Sequence, residues 1–152
     1  MRNPIEVLKH LSEKSRDTSY RFQRIYRNLY NPEFYYLAYQ NIRTTGGSMT
    51  KGVDGSNMDG MSGKRFEKVI RSLQNQSYQP LPARRVYIEK RNSTKKRPLG
   101  IQAGNDKLVE EIIRMMLESI YDPTFSNSSH GFRQHRSCHT ALFEIKKTIL
   151  SP

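Results

Sequence analysis

The stretch RRVYIEKRNSTKKRPLGI, Arg84 to Ile101, decides how the rest of the chain is read. Val86 and Ile88 alternate with Arg85, Tyr87 and Glu89, the two-residue period of a half-buried strand. Asn92, Ser93 and Thr94 make a polar turn, and Arg97 to Ile101 returns as a second strand. Pro98 has no N–H to donate to a ladder, so this return strand is an edge or is broken there. The stretch therefore reads as an antiparallel hairpin. Lys90, Arg91, Lys95, Lys96 and Arg97 crowd its turn and shoulders, opposed only by Glu89. Like charges repel, so a hairpin that gathers five of them is expected to face something negative.

Outside the hairpin the patterning is helical, which gives an α+β class: mostly helices with one small antiparallel hairpin. Asn3 can cap a first helix, with Pro4 at its first position, Glu6 three after the cap, and Ile5, Leu8 and Leu11 as a narrow apolar stripe. In Thr18 to Tyr30, Phe22, Ile25, Tyr26 and Leu29 fall on one helical face, and Arg21, Arg24 and Arg27 on the other without an acid among them. That face predicts an arginine-bearing helix laid on phosphate. Asn31-Pro32 starts a further helix through about Ile42, whose FYYLAY core predicts burial more than base stacking. Ser62 caps the next, with Phe66, Val69, Ile70 and Leu73 inside and Lys64, Arg65, Lys68 and Arg71 outside. Asn105 or Asp106 caps the longest, running to about Tyr121 with a wide stripe from Leu108 to Ile120. Ser137 caps the last, with Ala141, Leu142, Ile145 and Ile149 as its inner positions.

The chain of 152 residues holds 26 Lys and Arg against 14 Asp and Glu, a net charge of +12. A positive potential of that size attracts polyanions, nucleic acid foremost and an anionic membrane surface second. No apolar run is long enough to span a bilayer, no signal peptide is visible, and the single cysteine, Cys138, suits a reducing, intracellular compartment. The mean hydropathy of −0.80 is low for a closed globule, so part of the apolar surface is expected to depend on a partner or on further chain.

Several chemistries fail on spacing. The glycine-rich connection from Thr44 to Met61 offers Asp54 and Asp59, but a calcium loop starting at Asp54 would put Met58 at its fifth position and Arg65 where its glutamate belongs. It also lacks the G-K-[ST] that ends a phosphate loop. His130, His135, Cys138 and His139 show neither C-x-x-C nor H-E-x-x-H, so zinc is not supported. Adjacent residues on a helix point apart, so Cys138 and His139 make no nucleophile–base pair. No aspartate ends an apolar strand and none is paired, so no two-metal phosphoryl-transfer site is evident. Phosphate-binding groups are many, and groups that would do chemistry on phosphate are lacking.

Four blocks in order, GVDG (Gly52–Gly55), RRVYIEK…KKRPLGI (Arg84–Ile101), NDKLVEEII (Asn105–Ile113) and HGFRQHRSCHTAL (His130–Leu142), resemble the N-terminal half of group II intron-encoded reverse transcriptases, also called maturases. The resemblance implies the fingers and the start of the palm of a right-hand polymerase over residues 50–152, after a basic helical extension over 1–49. It implies that Lys90 and Arg97 contact the triphosphate of an incoming nucleotide, and that Gly131, Phe132 and Arg133 line the template and nucleotide surface. It further implies intron RNA, template RNA and dNTP as partners, with RNA gripped by Arg21, Arg24, Arg27, Lys64, Arg65, Lys68, Arg71, Arg91, Lys95 and Lys96. The family's metal-binding aspartates match nothing in this sequence, and Glu89 stands where the family often has proline.

The chain therefore reads as a piece of a larger RNA-directed DNA polymerase that assists intron splicing and mobility, found in the bacterial cytoplasm or an organelle. It is expected to bind RNA, to carry no cofactor of its own, and not to polymerise alone; Mg²⁺ belongs to the full-length enzyme. Retron, CRISPR-associated and diversity-generating reverse transcriptases share the same blocks. The rival is a non-catalytic module that forms a homodimer through FYYLAY or the Ile112–Ile120 helix.

Overall fold

A computed structural model describes residues 2–91 and 93–150, so the Asn92 position of the expected turn lies outside the described residues. Two helices start where asparagine side chains take up free backbone donors. Asn3 Oδ1 accepts from the Ile5 N–H at 2.9 Å and opens α1 (Pro4–Ser15); Asn31 Oδ1 accepts from the Glu33 N–H at 3.1 Å and opens α2 (Pro32–Arg43). In both, proline occupies the first turn, where its missing N–H costs nothing. The other helices are α3 (Gly63–Gln74), α4 (Gly104–Tyr121) and α5 (Cys138–Leu150).

The amphipathic stripes decide the packing. Leu108 and Ile112 of α4 are fully buried, and α1 and α2 lie against that helix. Phe34, Tyr35 and Ala38 of α2 are also fully buried, which places the FYYLAY segment in the core and removes it as a dimer surface; only its Tyr36 is half exposed. Burying a Phe or Leu side chain contributes about 1.5–3 kcal/mol, so this α2–α4 seam is a large apolar contribution to the fold. Tyr35 satisfies its hydroxyl by donating to the Leu29 carbonyl at 2.9 Å, and its ring meets Phe66 of α3 at 5.7 Å. In α1 the buried positions are Pro4, Leu11 and Ser15, and Ile5 is exposed, so the stripe is turned from the one expected.

The hairpin forms as read. Strands β1 (Arg84–Glu89) and β2 (Lys96–Ile101) pair antiparallel, with Val86 opposite Leu99, Tyr87 opposite Pro98 and Ile88 opposite Arg97. Pro98 is tolerated because the sheet has only two strands, and both are edges. The expected half-burial is not found: on β1 only Val86 is partly covered, and Ile88 is exposed. The hairpin projects from the body.

Three further expectations are corrected. The arginine-bearing helix over Thr18 to Tyr30 is absent; only Ile25–Tyr30 winds, as a 3-10 helix. Asp17 accepts from the Ser19 N–H at 3.0 Å and its hydroxyl at 2.6 Å, a local turn that competes with helix formation. Arg24 then takes the left-handed conformation with φ of 58°, which breaks a right-handed helix. Second, α4 begins two or three residues earlier than expected, with Ala103 at its cap position, and Asn105 and Asp106 are engaged elsewhere. Third, α5 is capped by Ser137 as expected, its Oγ accepting from the Thr140 N–H at 3.3 Å. Its inner positions are nonetheless largely bare: Leu142, Ile145 and Ile149 are all more than half exposed.

Candidate nucleic-acid interface

The hairpin is held at its base by a set of polar contacts around the start of α4. The buried Asp106 carboxylate accepts from the Tyr78 hydroxyl and from the Leu81 N–H at 3.0 Å, which fixes the segment entering β1. Burial raises the Tyr78 phenol far above its usual value, and the hydrogen bond to Asp106 adds to it, so Tyr78 stays a neutral donor. Ile101, at the end of β2, leads within two residues into Ala103 and α4.

The glycine-rich connection forms the other support. Gly52 lies so close to the chain before α4 that a Cβ there would meet Ala103 Cα at 2.6 Å, which only glycine avoids. Gly55 takes φ of 71°, closing the GVDG turn. Lys107 donates to the Gly47 and Thr50 carbonyls at 3.2 and 3.1 Å, and Arg84 donates twice to the Lys51 carbonyl. With Met58 almost fully buried as well, the long loop is a built buttress beneath the hairpin.

Register sorts the hairpin's charges. Residues directly opposite share a face, and faces alternate along each strand. Arg97 lies opposite Ile88, and the Lys90 N–H bonds to the Lys95 carbonyl at 3.0 Å, continuing the same pairing. Lys90 and Arg97 therefore share one face with Val86, Ile88 and Leu99. Arg85, Tyr87, Glu89, Lys96 and Pro98 share the other. Arg85, Lys90, Arg91, Lys95, Lys96 and Arg97 are all exposed, and none makes a salt bridge among the described residues.

The remaining candidates divide between surface and scaffold. Lys64, Lys68 and Arg71 are exposed along one side of α3, with Glu67 3.9 Å from Arg71. Arg65 points inward instead: its Nε donates to Asn105 Oδ1 at 2.6 Å and one Nη to Ser56 Oγ at 3.0 Å, 3.8 Å from Asp54. The hydrogen bonds from Ser56 hold the Asp54 carboxyl below its usual range, with the Arg65 charge assisting. Arg21, Arg24 and Arg27 are exposed but no longer share a helical face, and Arg21 donates to the Thr18 carbonyl at 3.1 Å.

Arg133 likewise faces its own loop. It donates to Asp122 Oδ1 at 2.6 Å and to the Asp122, Ser126 and Ser129 carbonyls, with its side chain about one-tenth exposed. That hydrogen bond holds the Asp122 carboxyl below its ordinary value. Arg136 donates to the Asn127 carbonyl, and His130 joins the loop to α5 through Thr140 Oγ1 at 2.9 Å and Glu144 Oε2 at 2.7 Å. The loop so fastened presents Phe132 fully to solvent at φ of 57°, with Gly131 exposed beside it. Sequence reading missed these inward arginines because a guanidinium that clamps carbonyls and one that awaits a phosphate are the same letter. Lys107 and Arg84 escaped notice for the same reason.

Among the described residues no three His, Cys, Asp or Glu side chains converge as a metal site would require. Asp54, Asp106 and Asp122 each serve a hydrogen-bonded role instead. No helix is long and apolar enough to cross a membrane, among the described residues.

No family model matches the chain. It is 47% identical over 148 residues to the group II intron-encoded protein LtrA of Lactococcus lactis subsp. cremoris, a match covering 97% of this chain and 25% of that protein. It is 42% identical over 149 residues to an uncharacterized 91 kDa protein in a cob intron of Schizosaccharomyces pombe, covering 95% of the chain and 18% of the relative. Over 88 residues, 57% of the chain and 11% of the relative, it is 34% identical to the mitochondrial nuclear intron maturase 2 of Arabidopsis thaliana. The chain spans about a quarter or less of the length of these curated relatives. On these matches, and on the order of its blocks, the chain belongs to the group II intron-encoded reverse transcriptase/maturase family.

Proposed function

We propose that this chain is the RNA-gripping fingers portion of a group II intron reverse transcriptase, and that its exposed hairpin is the principal polyanion contact. One observation carries this most: six exposed cations, none in a salt bridge among the described residues, project on an arm that is buttressed at its base and largely exposed. Lysine there is a point charge and arginine a bidentate fork, and both suit phosphate. Lys90 and Arg97, on one face, are the pair placed to take the triphosphate of a dNTP in the full-length enzyme. Template RNA would run past Phe132. In that enzyme Mg²⁺ would supply charge neutralisation at the transferred phosphate, held by carboxylates other than those of this chain.

The test is binding of the chain to a group II intron RNA against a scrambled structured RNA of equal length, each across a salt series. Tighter binding of the intron RNA at physiological salt supports the assignment. Equal binding that fades equally with salt reduces the hairpin to a generic polyanion grip. Incorporation of labelled dNTP by the pure chain with Mg²⁺ would refute the proposal that it does not polymerise alone.

A second reading is favoured by the apolar surface of α4 and α5. Ile113, Leu117, Tyr121, Phe143 and Ile149 are exposed, so self-association through them is an alternative. It predicts a mass that rises with protein concentration and ignores added RNA.

A further inference from the structure

The two faces of the hairpin differ in more than charge. On the face that carries Lys90 and Arg97, Val86 and Ile101 are partly covered where the hairpin meets the body. On the opposite face Arg85, Tyr87, Glu89, Lys96, Pro98 and Gly100 are all exposed, and Tyr87 is 62% exposed. Tyr87 stands directly across from Pro98, an aromatic ring beside a compact pyrrolidine. Arg85 is two residues away along β1, about 7 Å by strand rise. Lys96 lies on the diagonal from Tyr87, about 7–8 Å off, within reach of a long side chain.

We infer that this outer face is a separate binding site for a single-stranded nucleic acid, with an unpaired base stacked on Tyr87 and its flanking phosphates taken by Arg85 and Lys96. The inference rests on the RNA-binding proposal and deepens it by naming the form of nucleic acid and the residue that reads it. An aromatic ring flanked by cations takes any base, because every base has a π-face. It rejects a duplex, whose bases are stacked on one another and withhold those faces. Glu89, directly across from Lys96, offsets part of the Lys96 charge, so Arg85 is the stronger of the two phosphate contacts. A strand would therefore cross the hairpin near Tyr87 and Arg85. Tyr87 is exposed, so replacing it leaves the core untouched.

The experiment measures affinity of the chain, at physiological salt, for a short oligouridylate, for a blunt RNA duplex of similar length and for the intron RNA. Tyr87→Ala and Tyr87→Leu are expected to weaken oligouridylate binding roughly 5- to 150-fold, the range of one lost base–aromatic stack. Tyr87→Phe is expected to keep it, and duplex binding is expected to stay within about twofold throughout. Equal loss on single strand and duplex, or full rescue by Tyr87→Leu, overturns the stacking site. Wild-type binding to intron RNA but not to oligouridylate overturns it too, and leaves the RNA-binding proposal standing. Binding to none of the three overturns both.

Discussion

Replacing Asp106 tests whether the hairpin is fixed to the body as described. Its carboxylate is 5% exposed and accepts from the Tyr78 hydroxyl and the Leu81 N–H. In Asp106→Ala both donors lose their acceptor. A buried donor left unpaired costs about 1–3 kcal/mol, but Tyr78 is only half-buried and can recover water on one side. Loss of a carboxylate from the first turn of α4 removes about 0.3–1 kcal/mol more. Relief of carboxylate desolvation offsets part of this, so a net loss of about 2–4 kcal/mol is expected. Urea unfolding should show it as a midpoint falling by about 1–3 M at constant slope. Tyr78→Phe should cost about 1.5–3 kcal/mol by itself, and the double mutant less than the sum, with a coupling of about 1–3 kcal/mol. A change under about 0.5 kcal/mol, or additive single mutants, would refute the claim that these two groups hold the hairpin's base.

The loop beneath the hairpin predicts an asymmetry. Gly52→Ala drives a Cβ into backbone at 2.6–2.9 Å and should cost about 1–3 kcal/mol, whereas at Gly104 the closest atom is the end of the flexible Met61 side chain, so Gly104→Ala should cost less by the same urea assay. Neutralising Arg21, Arg24 and Arg27 together should flatten the logarithmic salt dependence of RNA binding by about 2–3 units if all three meet phosphate, and an unchanged slope ends that assignment. The Asp122–Arg133 contact sets an acid limit on the Phe132 loop. Because the folded Asp122 carboxyl is held below its unfolded value, the contact is fully present above that unfolded value, near pH 3.9, and is lost as pH falls through the lower folded value. A fluorophore on the exposed Cys138 should report constant mobility from neutral pH down to about pH 4 and loosening only below it; loosening already at pH 5–6 would contradict this.

The elements that could be read from the sequence are those whose signal is short-range or periodic. The asparagine caps of α1 and α2, the stripe of α3 and the alternation of β1 all act within a few residues. The failures came where a distant partner or a competing local bond decided the outcome. Asp106 reads as a helix cap, yet a tyrosine 28 positions away claims it, and the cap position moves to Ala103. Thr18 to Tyr30 has a helical period, but Asp17 and Ser19 form a tighter local turn first. The α5 stripe reads as an inner face, yet Leu142, Ile145 and Ile149 are largely bare, because no sequence pattern states what covers an apolar stripe.

The chain's arginines show why the site was only partly legible. A net charge of +12 suggests a uniformly basic surface, but the fold divides the cations by task. Arg65, Arg84, Arg133 and Arg136 end on carbonyls, amides or hydroxyls of the chain itself, where five fixed donors let one side chain pin several loop atoms at once. Lysines dominate the hairpin tip, where a flexible point charge suits a mobile polyanion. Arg97 is the exception that gives this division its force. It sits opposite an apolar residue, Ile88, on the face that also carries Lys90, as Arg84 sits opposite Ile101, but whereas Arg84 is bonded to the Lys51 carbonyl, the Arg97 side chain bonds to no acceptor among the described residues. Arg97 and Ile88 are both exposed, so the guanidinium is open to an anion on that face. On the proposed reading, Lys90 and Arg97 would take a phosphate on one face of the hairpin, while the other face, with its exposed Tyr87, would take a base.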